Sequence, residues 1–272
     1  DGPLCAALSV ERPIGAASTF RQEIRLSRFE RRLEFRTEID WRENHKLLKV
    51  AFPTAIHADG ALHEIQFGHL RRRNHRSTRF DAERFEVCNH RWSALAETRR
   101  GVALLNDGKY GVGTRGGELT LTLLKAPFVP DMRADRGRHE FSYSFYFWNG
   151  PFESSGVVRA GYEANEEPKF APALGPTRSF LSTDDPAVVA ETVKPAEDGS
   201  GDIVVRLYES LGSAARCRLR IAFPVGKAAA TDLLERGGEE LPVAPDGEGG
   251  SLVDIDFRAF QIRTVRLSRP RP

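Results

Sequence analysis

Six side chains of the kinds that bind zinc follow one another in one part of the chain: His57, His63, His69, His75, Cys88 and His90. Zinc accepts imidazole nitrogen and thiolate sulfur, so the pattern raises a structural metal site as one interpretation. Pro53, Asp59-Gly60 and Gly68 interrupt the segment, however, and no compact pair such as HxxxH occurs. The histidines therefore need not share a face, and we keep a bound metal as an alternative.

Motifs for other kinds of catalysis are absent or cannot be assigned. A glycosidase needs two carboxylates flanking the bond that it cleaves, but the 38 acidic residues offer no means of choosing a pair. The nucleophile motif GxSxG and the phosphate-binding motif GxxxxGK(S/T) do not occur. The glycine-rich segment at residues 114–119 precedes an alternating strand, so we interpret it as a hairpin turn. The residues alone define no reaction.

Three tryptophans, Trp41, Trp92 and Trp148, could stack on sugar rings if their indoles were exposed. Each adjoins a predicted strand with an apolar face, where an indole packs well into a core. We predict that all three are core residues and keep sugar stacking as an alternative.

The elements that must position these residues are short strands. Residues 33–41 alternate between apolar and charged side chains, which places one set on a core face. Apolar residues at 24 and 26, before a polar turn at residues 30–32, predict the hairpin partner. Val157–Tyr162 predicts another short strand, and the charged run at residues 71–79 predicts a solvated loop.

The longest pattern runs from Gly101 to Trp148. It predicts a strand, a polar hairpin at Lys109-Tyr110 and a second strand ending near Lys125. An irregular loop with prolines follows, and then a strand whose aromatic residues between 141 and 147 share a face. We predict that the rest of the chain is organised around this stretch.

A proline-rich polar passage at residues 165–176 predicts a linker, with a large domain at 1–174 and a small one at 175–272. In the second part, alternation over residues 215–223 places Cys217 on an apolar face as a small buried side chain. Short strands between turn signals, without a long amphipathic helix, predict an all-β chain of sandwich type.

The bulk composition excludes some classes of protein. The chain has 272 residues, 40% hydrophobic and 29% charged, and its net charge of +2 argues against a nucleic acid or an anionic membrane as the main partner. Three cysteines without a paired spacing favour a reducing compartment. No apolar run approaches the roughly 20 residues of a membrane helix. The start at Asp1, without Met or a signal-like segment, suggests a piece of something longer.

One string is specific enough to indicate a family. ALLNDGKYG, at Ala103 to Gly111, resembles the ALLNDCKYG motif of the α-mannosidases of glycoside hydrolase family 38, most closely the cytosolic and bacterial branch. Further segments agree in the same order: WRENHKLLKVAFP (41–53), EIQFGH (64–69), RFEVCNHRW (84–92), LLKAP (123–127), ADRGRHEFSYS (134–144), ETVKPAEDGSG (191–201) and RLYESLG (206–212). The chain resembles the C-terminal β region of these enzymes over nearly its whole length.

The resemblance implies a fold and a division of labour. The fold would be a large galactose-mutarotase-like supersandwich followed by a smaller C-terminal β-sandwich. In the family, an N-terminal α/β domain performs retaining hydrolysis with an Asp nucleophile and with zinc bound by two His and two Asp. None of these residues maps onto this chain, so its histidines are not the family's zinc ligands and no cofactor is expected in it.

The resemblance also implies partners and a compartment. The expected partners are the chain's own N-terminal catalytic domain and a mannose-containing glycan, and the expected compartment is the cytoplasm. A homo-oligomeric state stays open. The fragment by itself is expected to be inactive.

A supporting role for residues of this chain follows from the same resemblance. In the family a basic residue after the strand that matches Leu119–Leu124 reaches toward the active site, and Lys125 is the matching position. Lys109 and Tyr110 would lie near it. Lys125 could hold an active-site carboxylate by a charge-assisted hydrogen bond, or it could be an ordinary solvated lysine at a strand end. Gly108 departs from the family's Cys, which puts only a close local copy of the turn in doubt.

Two other functions stay open. The sandwich could bind a glycan itself without catalysis, or the large domain could be an independent enzyme that interconverts sugar anomers.

Overall fold

The computed structural model describes residues 2–166 and 179–270, which form two compact units. The first unit comprises residues 2–65 and 70–166, and the second comprises residues 66–69 and 179–270. The greater part of the predicted linker, with the predicted boundary after Leu174, lies outside the described residues.

The strands before residue 150 are β1 (Cys5–Ile14), β2 (Ser18–Ser27), β3 (Arg32–Trp41), β4 (Lys46–Pro53), β5 (Gly60–Ile65), β6 (Gly68–Arg73), β7 (Val87–Cys88), β8 (Trp92–Ala96), β9 (Arg100–Asn106), β10 (Gly111–Arg115), β11 (Glu118–Ala126) and β12 (Gly137–Asn149). They form an eight-stranded sheet in the order β1-β2-β3-β12-β9-β8-β5-β6 and a four-stranded sheet in the order β4-β11-β10-β7. The ladders are antiparallel, as in the central pairs of β12 with β3 and β9.

One hydrophobic core joins the two sheets of the first unit. Ile39, Leu95 and Leu104 from the larger sheet and Leu119 and Leu121 from the smaller sheet are completely buried in it. In β3 alternate residues from 35 to 41 are buried, which confirms the predicted two-residue period. The β2–β3 hairpin is confirmed as well.

The first and last residues of the stretch from Gly101 to Trp148 lie opposite each other in a strand pair. Gly101 in β9 lies opposite Trp148 in β12. The Trp148 indole covers Gly101 so closely that a Cβ atom built on Gly101 would lie 2.0 Å from Trp148 Cζ2. Gly101 is needed because the indole occupies the space of any side chain at that position.

Replacing Gly101 with alanine should therefore lower the free energy of unfolding by about 1–3 kcal/mol, the cost of overpacking a filled site. Urea unfolding at equilibrium measures the effect. In a Trp148→Leu background the same change to alanine should cost less than it does in the parent, since the smaller side chain leaves room for the new methyl group. An alanine variant as stable as the parent would contradict this packing.

The strands of the second unit are β13 (Leu181–Thr183), β14 (Val188–Pro195), β15 (Ile203–Glu209), β16 (Ala215–Ile221), β17 (Lys227–Thr231), β18 (Glu239–Leu241), β19 (Val243–Pro245), β20 (Ser251–Phe257) and β21 (Ile262–Ser268). They form one sheet in the order β13-β16-β20-β19 and another in the order β14-β15-β21-β17-β18. Cys217 is buried in their common core, and burial raises the pKa of its thiol to about 11. The prediction of a small buried side chain is confirmed.

The predicted strand at Val157–Tyr162 is wrong, because these residues begin a short helix, α2 (Val157–Glu163). Its buried residues are Val157, Val158, Ala160 and Gly161. Spacings of one, three and four residues fit one face of a helix and not one face of a strand. Gly161 packs directly on the indole of Trp92, since a Cβ atom there would lie 2.9 Å from Trp92 Cδ1.

The charged run at residues 71–79 is a loop only in part. Its first three residues complete β6, and its last residue begins α1 (Arg79–Glu83), whose N-cap is Thr78. β6 is the last strand of its sheet, where charged side chains are favoured because they oppose pairing with another chain. Within the described ranges, no helix has the length and apolar composition to cross a membrane.

Candidate functional site

The candidate site is built on the connection between β9 and β10. These strands belong to different sheets, so Lys109 and Tyr110 lie in a crossover, and the predicted polar hairpin at this point is wrong. The turn residues were recognised, but local sequence does not reveal that the chain changes sheets. The next turn, at Gly116-Gly117, connects β10 and β11 in a hairpin, as predicted.

Asn106 holds the crossover in shape. Its buried side chain accepts the N–H groups of Gly108 and Lys109 with Oδ1, at 3.1 and 2.8 Å. Its Nδ2 donates to Asn89 Oδ1 and to the His90 carbonyl, at 2.9 and 3.1 Å. Gly108 has φ of +154°, a conformation that side-chain-bearing residues rarely adopt, so the turn of this chain suits glycine at that position.

Lys109 is half-buried beside this turn. Its Nζ lies 4.4 Å from the centroid of the Phe141 ring, a cation–π contact. Burial lowers the pKa of Lys109, while the charges of Asp135 and Asp107 act in the opposite direction. Asp107 accepts the N–H of Ser142 at 2.6 Å, and partial burial raises the pKa of its carboxyl. Lys109 is therefore a positioned cation between an aromatic ring and two carboxylates.

A β-bulge decides which way Lys125 points. The register of β11 against β4 shifts between Thr122 and Leu124. Before the shift the odd-numbered residues of β11 are buried, and after it the even-numbered Leu124 and Ala126 are buried. Lys125 is consequently exposed, whereas an unbroken alternation would have turned it into the core.

Asp135 connects the surroundings of the two lysines. Its Oδ2 accepts the backbone N–H of Lys125 at 2.7 Å, and its charge favours the protonated form of Lys109. It has φ of +58°, which is uncommon outside glycine, and its carbonyl oxygen lies 2.7 Å from His139 Nε2. The part played by Asp135 was not predicted, because a single aspartate in an irregular loop has no diagnostic spacing.

Tyr110 has different neighbours. Its side chain is half-exposed and faces the His90 imidazole, with ring centroids 6.2 Å apart. Its carbonyl accepts the N–H of Asn89 at 3.0 Å. Burial lowers the pKa of His90, and the charge of Arg91 acts in the same direction. Of the three predicted site residues, Lys109 and the backbone of Lys125 are therefore connected with Asp135, and Tyr110 faces His90.

Exposed apolar side chains occur opposite Lys125 and in the segment that follows it, and we call this group the Lys125 surface: Leu47, Phe128, Val129 and Met132. Leu47 lies opposite Lys125 in the pairing of β4 with β11, and the Phe128 ring stacks on His45 with centroids 3.5 Å apart. Single exposed apolar residues are common, but several beside charged groups mark a contact surface.

The zinc-type side chains are not gathered into a site. In the part of the chain that the structure describes, no three His, Cys, Asp or Glu side chains are arranged to hold a metal ion. His63 is completely buried in β5, while His57 is exposed in the preceding loop. The regular sequence spacing spreads the histidines over different elements.

The tryptophans are core residues, as predicted. Trp41, Trp92 and Trp148 are 2%, 1% and 3% exposed, so sugar stacking on these indoles is excluded. An open groove of about 1120 Å³ lies over β2, β3 and β12. It is lined chiefly by charged side chains, including Arg21, Glu38 and Glu140, and Phe141 in its wall is buried. Among the described residues that line it, the groove offers no exposed aromatic platform for a sugar ring.

Two domains of one family match the sequence. Residues 1–133 match the glycosyl hydrolases family 38 C-terminal domain. Residues 187–265 match the glycosyl hydrolases family 38 C-terminal beta sandwich domain. The chain belongs to the C-terminal region of glycosyl hydrolase family 38.

Relatives of known name agree with this assignment. The chain is 45% identical over 246 residues to Alpha-mannosidase 2C1 of Homo sapiens, covering 86% of this chain and 23% of that protein. It is 33% identical over 248 residues to Alpha-mannosidase of Saccharomyces cerevisiae, with coverage of 84% and 23%. The chain thus spans about a quarter of the length of these curated relatives.

A solved structure shares the fold. The crystal structure of an alpha-mannosidase from Enterococcus faecalis V583 matches 92% of this chain and 29% of its own, with a TM-score of 0.72 and 19% sequence identity. The likeness at this identity shows the fold alone. The antiparallel sheets of the two units confirm the predicted all-β fold.

Proposed function

We propose that this chain is the C-terminal β region of an α-mannosidase that hydrolyses α-mannosides with retention. The observation that carries the proposal is the 45% identity over 246 residues to Alpha-mannosidase 2C1. In this proposal an N-terminal catalytic domain supplies the Asp nucleophile and binds zinc through two His and two Asp. The described residues contribute a frame and a contact surface, and no reacting group.

The Lys125 surface is the face that we assign to the catalytic domain. Covering exposed apolar side chains with a partner is favourable, and the bulge in β11 holds Lys125 outward, opposite the exposed Leu47. Asp135 fixes the backbone position of Lys125 through a hydrogen bond. The side chain therefore starts from a fixed position when its amine reaches a partner carboxylate. A charge-assisted hydrogen bond of this kind contributes about 1.5–3 kcal/mol.

The proposed substrate is a mannose-containing glycan, and the proposed compartment is the cytoplasm. All three cysteines are unpaired, which supports a reducing environment. Whether the assembled enzyme is a homo-oligomer is left to measurement of its mass in solution.

The 272-residue chain alone should show no hydrolysis of an aryl α-mannoside, even with zinc added. A colorimetric assay that compares the chain with the longer natural protein measures this. Turnover by the chain at the rate of the longer protein would contradict the proposal. Saturable heats with mannose oligomers in calorimetry would favour the glycan-binding alternative, and faster anomerisation in polarimetry would favour the mutarotase-like alternative.

Replacing Lys125 with methionine in the longer protein should lower kcat/KM by about 10- to 100-fold, which corresponds to the loss of one charge-assisted hydrogen bond. The substitution should lower activity by more than it lowers stability, which thermal melting of the longer protein measures. Lys227→Met, at an exposed strand position of the second unit, is the matched control and should keep full activity. Equal kcat/KM in both variants would reject the role of Lys125.

A further inference from the structure

A buried imidazole in the first unit has one nitrogen without a partner. His63 in β5 lies opposite Ser93 in β8, and its Nδ1 is 2.8 Å from Ser93 Oγ. The residue has no exposed surface, and its Nε2 meets no hydrogen-bond partner among residues 2–166 and 179–270. A buried polar atom left in this state is costly, so its surroundings merit attention.

A second unpartnered group lies on the neighbouring strand. Arg72 in β6 has a buried Nη1 that finds no hydrogen-bond acceptor within the described ranges. Burial lowers the pKa of Arg72, and the charge of Arg84 acts in the same direction. A guanidinium N–H always donates, so Nη1 requires an acceptor.

Both side chains line one small cavity of about 10 Å³, together with Glu86, Val112 and Thr114. This is the volume that a single water molecule needs, and a buried water is stable when it has two or more polar partners. The cavity lies beside a donor on Arg72 and a ring nitrogen on His63 that accepts or donates according to the tautomer. A water molecule both accepts and donates, so it can satisfy both groups.

We propose that one structural water molecule is bound in this cavity, accepting a hydrogen bond from Arg72 Nη1 and donating one to His63 Nε2. The neutral imidazole then carries its proton on Nδ1 and donates it to Ser93 Oγ. The water completes a chain of hydrogen bonds across β6, β5 and β8. Arg73 and Arg84 also line the cavity and favour an anion, but the carboxylate of Glu86 opposes one. With the His63 proton on Nδ1, an anion also has no hydrogen to donate to Nε2.

A high-resolution crystal structure of the 272-residue chain, grown with bromide in place of chloride, tests the proposal. The expected result is a density peak about 2.7–3.2 Å from both nitrogens, without anomalous bromide signal. An empty cavity would overturn the proposal. A bromide peak in the cavity would also overturn it and would identify an anion site.

The tautomer of His63 gives an independent measurement. In ¹⁵N-labelled protein at neutral pH, the His63 nitrogen shifts should be those of the form protonated on Nδ1. The form protonated on Nε2 would overturn the proposed direction of the hydrogen bonds. Arg72→Met, which removes the donor but keeps a long side chain, should abolish the density peak, and a peak that survives unchanged in that variant would count against the bridge.

Discussion

At pH 4.5 the chain should be about 3 kcal/mol less stable to unfolding than at pH 8 because of one side chain, His63. The pKa of His63 is lowered from 6.5 to about 3 in the folded chain. Burial is the main cause, and the charge of Arg72 adds to it. The effect is large because the imidazole has no access to solvent in the fold.

The sign follows from the protons bound by each state. Between pH 6.5 and pH 3 the unfolded chain protonates His63, whereas the folded chain does not. Stability is therefore complete above pH 6.5 and falls toward pH 3, by about 1.4 kcal/mol per unit at the steepest. The uncharged Ser93 contacts one side of the ring, and the cavity on the other side is lined by Arg72, Arg73, Arg84 and Glu86. The carboxylate of Glu86 is paired with Lys49, so the surroundings oppose a cationic imidazole.

Urea unfolding of the parent and of His63→Gln at several pH values from 8 to 4.5 measures this contribution as the difference between the two curves. The exposed His57→Gln is the control and should keep the slope of the parent. Parallel curves for the parent and His63→Gln would contradict the prediction. If His63→Gln does not fold, NMR titration of the parent decides, because an apparent His63 midpoint near 6.5 is incompatible with the buried neutral ring.

Replacing Arg91 with methionine should lower the free energy of unfolding by about 3–5 kcal/mol, because it leaves a buried carboxylate without its counter-charge. Glu64 is only 3% exposed, and the Arg91 Nε lies 3.1 Å from its Oε1. The pKa of Glu64 is already raised by burial, and Arg91 opposes that rise. The guanidinium also lies 3.7 Å from the centroid of the Tyr162 ring, so the substitution removes a cation–π contact too.

The double variant Arg91→Met with Glu64→Gln separates charge from packing. It should be more stable than Arg91→Met alone, since the neutral amide costs less to bury than an unpaired carboxylate. Arg99→Met, at an exposed position, should change the free energy of unfolding by less than about 0.5 kcal/mol. If Arg91→Met changed the free energy of unfolding as little as the control does, the Glu64 charge would be stabilised without the arginine.

Strands with a clear two-residue period could be predicted from the sequence. In β3 and β16 the alternation of apolar and charged residues matches the burial of the folded chain. Val157–Tyr162 was misassigned because six residues rich in apolar side chains fit both periods, and the contact of Gly161 with Trp92 that favours the helix is long-range. The sheet that each strand joins is likewise decided by distant partners, so the crossover at Lys109 looked like a hairpin.

The candidate site was predictable to a lesser extent. Lys125 and Lys109 came from resemblance to a family, and their roles stay predictions. Their connection through Asp135 depends on a residue with positive φ in an irregular loop, a feature without a sequence signature. The pairing of Glu64 with Arg91 was missed as well, because residues 27 positions apart show no pattern until the strands are aligned.

The bulge in β11 bears on how this protein is compared with its relatives. One additional residue between Thr122 and Leu124 reverses the parity of the strand, so that everything after it faces the other way. Consider a relative that lacks that residue. In an alignment without a gap, its spatial equivalent of Lys125 would be aligned with a neighbouring position and not with Lys125 itself. Equivalence at the end of this strand should therefore be judged from the direction of the side chain in space, and a graft of Lys125 into another sandwich must carry the bulge with it.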